Sequence, residues 1–145
     1  IGVLATVATA RSGASGREIA AMAPDMEVIS EGTGELVPLV EAGRTSIDDP
    51  GVRAALERCL RPFENGAVDT LILGCTHYPL LAGAISELIG ADVKLIDTGA
   101  AGARELACLL REAGIGCSAR KIGSCELFAS GDEAEFRRLA DVFLA

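Results

Sequence analysis

The stretch Thr70-Leu71-Ile72-Leu73-Gly74-Cys75-Thr76-His77-Tyr78-Pro79 decides how the rest of the chain is read. Its first four residues form a short unbroken run of the kind a strand buried on both faces requires. Pro79 then marks the first turn of a helix. The cysteine, the threonine and the chain's only histidine therefore lie where a buried parallel strand ends. In open α/β sheets that edge is where ligands bind. A thiol two residues from an imidazole can be drawn towards thiolate, so Cys75 is a candidate base or nucleophile. Gly74 is expected to let the backbone turn sharply, and the free N–H groups of the following helix favour a carboxylate or phosphate.

Outward from this motif the same strand-then-helix step recurs. Upstream, Ile1-Gly2-Val3-Leu4-Ala5-Thr6 reads as a buried strand, Arg11 to Met22 as a helix, Glu27 to Ser30 as a short strand and Gly32-Thr33-Gly34 as a turn. A longer loop containing Val37-Pro38-Leu39-Val40-Glu41-Ala42-Gly43 leads to a helix that Asp48 or Asp49 can cap, with Pro50 in its first turn. Val52, Leu56, Cys59 and Leu60 recur there at helical spacing. Downstream the pattern predicts a helix from Pro79 to Ile89, a strand from Val93 to Asp97, a helix from Ala100 to Ala113 and a strand from Lys121 to Ala129. A last helix opens on the capping-box pair Ser130 and Glu133, with Phe136, Leu139, Ala140 and Phe143 on one face. Such alternation predicts an α/β fold, a parallel doubly wound sheet flanked by helices. Strand ends carrying Thr6, Gly32-Thr33-Gly34, Cys75-Thr76-His77 and Asp97-Thr98 should then converge on one edge.

Bulk properties agree with a single compact α/β body. A chain of 145 residues can bury roughly 70 % of the surface its unfolded form exposes. Half of its residues are apolar and only 3 % aromatic, so the core should be aliphatic. A net charge of −8 argues against binding a nucleic-acid backbone, which depends on clustered Lys and Arg. No apolar stretch approaches a membrane span. Five cysteines, an odd number without a CxxC pair and with no signal peptide before them, read as reduced thiols in a cytoplasmic protein. Cys59 and Cys108 fall on apolar helix faces and read as buried structural thiols. No metal-ligand spacing is present. With Lys94 and Lys121 the only lysines, there are few anchors for a pyridoxal-type cofactor.

Several motif readings fail on inspection. Gly13-Ala14-Ser15-Gly16 and Gly32-Thr33-Gly34 complete neither GxGxxG nor a phosphate loop, so ordinary turn chemistry is the better reading. A Cys-x5-Arg phosphatase loop would need arginine where Leu81 stands. A papain-like site would need a distant histidine. Glu41 and Asp97 are the acidic residues placed to matter, one in a loop near the edge and one at a strand end.

The segments Ile1 to Thr6 with Thr9 and Ser12, Val37 to Gly43, Asp69 to Leu81 and Leu95 to Gly99 together resemble the second half of a glutamate racemase. The resemblance spans nearly the whole chain. It implies a cofactor-independent enzyme in which two cysteines face opposite sides of the substrate Cα, one thiolate removing the proton while the opposing thiol delivers another. Cys75 would be the second of these, assisted by His77, with Glu41 paired to the histidine. Thr76, His77, Thr6 and Thr9 would contact substrate glutamate. It also implies one of two similar domains: residues 1–97 the second α/β domain, and residues 98–145 returning to pack on an N-terminal domain not contained in this stretch.

The chain departs from the family pattern in reading Glu31-Gly32-Thr33-Gly34-Glu35 where a Cys-Pro or similar pair is usual, and in lacking the family's first cysteine. With one of two acid/base groups, these residues alone should not racemise glutamate. The resemblance implies a role in supplying D-glutamate for peptidoglycan, hence in cell-wall biogenesis and cell shape, and is compatible with a homodimer. Alternatives are a related racemase or isomerase acting on aspartate, hydantoins or maleate, and a non-catalytic anion-binding α/β domain. The His-Tyr-Pro continuation after Gly-Cys-Thr favours glutamate.

Overall fold

Among the residues described by the computed structural model (1–117, 124 and 126–144), four short strands form one sheet. They are β1 (Gly2–Ala5), β2 (Ile29–Gly32), β3 (Thr70–Gly74) and β4 (Lys94–Asp97), in the order β2-β1-β3-β4, every neighbouring pair parallel. Parallel pairing needs a crossover between strands. The crossovers here are α1 (Val7–Ser12) with α2 (Ala14–Met22), then α3 (Leu36–Glu41) with α4 (Pro50–Leu60), then α5 (Ala82–Ile89). These elements belong to a compact unit spanning Ile1–Ala101, and Gly102–Ala145 forms a second.

Strand side chains alternate between faces, and both faces of β1 are buried. On one, Val3 and Ala5 pack with Ile19 of α2, joined by Ile1, Val28 and Ile72. On the other, Leu4, Leu71 and Leu73 are fully buried, and Phe63 lies against Gly2. The expected aliphatic, doubly covered sheet is therefore the one observed. Helix α4 buries Val52, Ala55, Leu56, Cys59 and Leu60, a stripe at helical spacing. It starts as expected: Asp49 caps it by accepting from Gly51 N (2.8 Å) and Val52 N (3.3 Å). Arg44 holds the same carboxylate through two 2.7 Å hydrogen bonds, keeping its pKa well below the usual carboxylate range.

Several boundaries differ from the sequence-based expectations. The first helix begins at Val7, immediately after the capping residue Thr6, and breaks at Gly13, whose φ of +63° belongs to the left-handed region. Strand β2 lies two residues later than expected, in register with β1 from Gly2↔Ile29 to Ala5↔Gly32. The loop around Glu41 is the helix α3: Pro38 sits in its first turn, where no N–H is needed, while Leu36 and Val40 are buried on one side. The helix expected from Pro79 opens as a 3₁₀ turn, Tyr78–Leu81, before α5.

Helix α6 (Thr98–Glu112) starts two residues early because Asp97 caps it. In the second unit, α7 (Glu133–Leu144) is capped by Asp132, which accepts from Glu135 N at 2.8 Å, rather than by Ser130. Phe136, Leu139, Ala140 and Phe143 are partly buried there, as the spacing predicts. Of the strand expected over Lys121 to Ala129, residues 121–123 and 125 lie outside the described residues, and 126–129 carry no regular secondary structure. No described helix is long and apolar enough to cross a membrane.

Candidate active site

Register places the strand ends side by side. Ala5 pairs with both Gly32 and Gly74, and Leu73 pairs with Asp97. Thr6, Thr33 and Cys75 are thus the first residues beyond three adjacent strands, on one edge of the sheet. Gly74 is not in a left-handed conformation. Its contribution is a close approach: an added Cβ would lie 3.2 Å from the Leu4 carbonyl oxygen and 3.3 Å from the Ala5 Cβ. Beyond it the chain turns tightly, Tyr78 N donating to the Cys75 carbonyl (3.1 Å) and Leu80 N to that of His77 (3.2 Å).

This turn brings the thiol, the imidazole and a carboxylate into one row. Cys75 Sγ lies 3.8 Å from His77 Nδ1, and His77 Nε2 lies 3.2 Å from Glu41 Oε1, contributed by the last residue of α3. Thr76 Oγ1 is 3.3 Å from the same Nδ1. A carboxylate only accepts, so Nε2 carries the hydrogen that Glu41 receives. In the neutral ring Nδ1 is then an acceptor aimed at the thiol and the Thr76 hydroxyl. The order thiol, imidazole, carboxylate is one in which a ring can serve a thiol as base while a carboxylate orients the ring. It can take a proton from sulfur and hold it as imidazolium beside a negative charge.

Thr6 and Thr9 form their own pair at the end of β1, with hydroxyl oxygens 3.0 Å apart and Thr6 capping α1. Asp97 is occupied in structure: its Oδ1 accepts from Gly99 N (2.8 Å) and Ala100 N (3.1 Å). Thr98 donates to the Leu73 carbonyl at 3.1 Å. Cys59 is buried as expected, and desolvation pushes its thiol pKa up to about 12. Cys108 is only partly buried and receives a hydrogen bond from Arg111 at 3.2 Å. Among the described residues, no group of three or more His, Cys, Asp or Glu side chains is placed to hold a metal ion.

A link that the sequence reading passed over joins this turn to its surroundings. Tyr78, the chain's only tyrosine, is fully buried and donates its hydroxyl to the Thr33 carbonyl at 3.3 Å. Its place directly after Thr-His, in a chain with few aromatics, was the available signal.

A family model described as Asp/Glu/Hydantoin racemase matches residues 1–106. The chain belongs to that family. It is 38 % identical over 144 residues to a glutamate racemase of Cupriavidus pinatubonensis, an alignment that covers 99 % of this chain and 52 % of the relative. Among solved structures, it superposes with a TM-score of 0.88 on a glutamate racemase isoform of Bacillus anthracis, at 30 % identity over 99 % of this chain and 53 % of that one. A glutamate racemase of Francisella tularensis, solved in complex with D-glutamate, gives the same TM-score, identity and coverage. The chain spans about half the length of the curated relatives it matches.

Proposed function

We propose that this chain is the Cys75-bearing half of a cofactor-independent glutamate racemase. The observation that carries the reading is the row Cys75–His77–Glu41 at the carboxyl edge of the sheet, with spacings of 3.8 and 3.2 Å. In support, the relatives named above are glutamate racemases, and one of them was solved with D-glutamate.

The proposed chemistry is proton exchange at Cα. His77 accepts the Cys75 proton at Nδ1 and is steadied by Glu41, leaving a thiolate that takes the Cα hydrogen from one face. The Cα–H bond breaks as S–H forms. A cysteine from the other half protonates the opposite face, and the reverse direction exchanges the two roles. So weak a carbon acid needs a base in contact, an acid already in place across the carbon, and little water. Thr76 and His77, with the Thr6–Thr9 hydroxyl pair, are proposed to hold the substrate's polar groups. Residues 1–97 form the second α/β domain of this enzyme, and residues 98–145 pack on its first. The product D-glutamate would serve peptidoglycan synthesis in the cytoplasm, and with it cell-wall biogenesis and cell shape.

The test is deuterium incorporation at Cα by the racemase containing this chain, with glutamate and aspartate offered side by side. Exchange is expected with glutamate. Cys75→Ala and Cys75→Ser are expected to lower racemisation by about 10²–10⁴-fold with the fold intact. Wild-type racemisation by Cys75→Ala, or preferential exchange at aspartate, would sink the reading. The purified 145-residue chain is expected to be inactive, and racemisation by it at the complete enzyme's rate would be equally damaging.

A further inference from the structure

Thr33 uses each of its polar groups to join a different part of the site edge. Its N–H donates to the Ala5 carbonyl at 3.0 Å, the last residue of β1 and the neighbour of Thr6. Its Oγ1 accepts from Glu35 N at 3.1 Å, the residue that leads into α3 and so towards Glu41. Its carbonyl accepts the Tyr78 hydroxyl at 3.3 Å, one residue beyond His77. Apart from Tyr78 and Cys59, Thr33 is the only buried residue with a polar side chain among those described. The 3₁₀ turn that begins at Tyr78 packs directly against α3.

We infer that the Tyr78–Thr33 junction is a positioning device for the acid/base row: Tyr78 fixes the Cys75–His77 turn against α3, so that the imidazole keeps its place between the thiol and Glu41. The inference rests on the proposed racemase function. Glu41 and His77 are on separate segments, 36 residues apart. Apart from side-chain contact between the pair themselves, their spacing depends on how the turn is seated on α3. A buried phenol hydroxyl is suited to this, because loss of its partner leaves both groups unsolvated. Burial, then the negative charge of Cys75 and Cys59 when ionised, raises the Tyr78 pKa, so the hydroxyl stays a donor at neutral pH.

The experiment uses Tyr78→Phe in the complete racemase, with p-aminophenylalanine at the same position as a variant that restores a donor. Three quantities are followed: kcat and KM for both directions, the pH dependence of Cys75 alkylation resolved by peptide mass, and thermal unfolding. Tyr78→Phe is expected to lower kcat about tenfold with KM little changed, as loss of one buried hydrogen bond to a catalytic geometry allows. It is also expected to displace the pH midpoint of Cys75 alkylation, with both effects reversed by p-aminophenylalanine. A Tyr78→Phe enzyme that is merely less stable, with wild-type kcat and an unmoved alkylation midpoint, overturns the inference. Should Tyr78→Phe fail to fold, the p-aminophenylalanine enzyme decides: wild-type kcat and midpoint support the inference, and a wild-type fold with lowered kcat overturns it. Failure of the underlying function is recognised separately, as a wild-type enzyme without exchange at glutamate Cα or a Cys75→Ala enzyme that still racemises glutamate at the wild-type rate.

Discussion

Gly32 closes β2 directly beneath α1, and replacing it by alanine tests how tightly this edge of the sheet is built. An added Cβ would lie 2.9 Å from the Ala10 Cβ, 3.0 Å from the Val7 Cα and 3.5 Å from the Thr6 carbonyl oxygen. Ordinary contact begins at 3.4 Å, so α1 must retreat by about 0.5 Å. The two atoms nearer than that, the Val7 Cα and the Ala10 Cβ, are fixed to the helix backbone and cannot rotate away. Overpacking of this kind costs about 1–3 kcal/mol, offset by about 0.4–1 kcal/mol from the stiffer unfolded chain. At about 2–4 °C per kcal/mol for a chain near this size, the net lowers the melting temperature of Gly32→Ala by up to roughly 10 °C, and by roughly 2–12 °C relative to Gly34→Ala, which shares the unfolded-chain gain. Gly34→Ala is the control, because its Cβ would meet nothing within 4 Å and its φ is not positive. Far-UV circular dichroism of the purified chain during heating is the assay. If Gly32→Ala melts together with Gly34→Ala, α1 is not seated on β2 as described, and the placement of the Thr6–Thr9 pair at this edge loses its support.

His77→Asn should lower kcat mainly in the direction of racemisation in which Cys75 is the base, and Glu41→Gln should act in the same sense but less severely; rates at saturating D- and L-glutamate give the ratio, since equilibrium between enantiomers holds the two kcat/KM values equal, and equal losses of kcat in both directions count against this role. At neutral pH, iodoacetamide should alkylate the half-buried Cys75 at least about tenfold faster than Cys59, whose thiol is sealed and held protonated by burial; peptide mass mapping at short times checks this, and equal labelling contradicts it. Because the folded chain raises the Cys59 pKa to about 12, its contribution to stability is whole below the ordinary thiol value of 9.0. That contribution is lost as pH climbs towards 12, since the unfolded chain gives up its proton first. Denaturation midpoints should fall more steeply with alkaline pH in the wild type than in Cys59→Ala, and parallel declines would contradict the assignment.

The parallel sheet was legible because its strands are read by hydrophobicity alone: Thr70 to Leu73 and Ile1 to Thr6 have no other plausible home than a doubly covered sheet. Once those strands are parallel, the convergence of Thr6, Thr33 and Cys75 on one edge follows from register. Element boundaries were harder, because capping side chains set them. Thr6 and Asp97 cap α1 and α6 from the ends of strands, so each helix begins sooner than its apolar spacing indicates. Helix α3 was hidden by Pro38, which breaks helices in their interior but not in the first turn. The Tyr78–Thr33 bond spans 45 residues and has no periodic trace in the sequence.

What the Glu41–His77 contact contributes can be decided from its exposure. The side chains are 42 % and 21 % exposed, and pairs so open to solvent add only about 0–1 kcal/mol to stability. The fold does not depend on it, so its consequence is orientation: it fixes which ring nitrogen faces the thiol. The same openness bears on the chemistry proposed. A thiolate strong enough to remove a Cα proton acts best with water excluded. In a two-half enzyme that exclusion would come from the surface closing over Cys75, whereas this half brings the acceptor row already aligned.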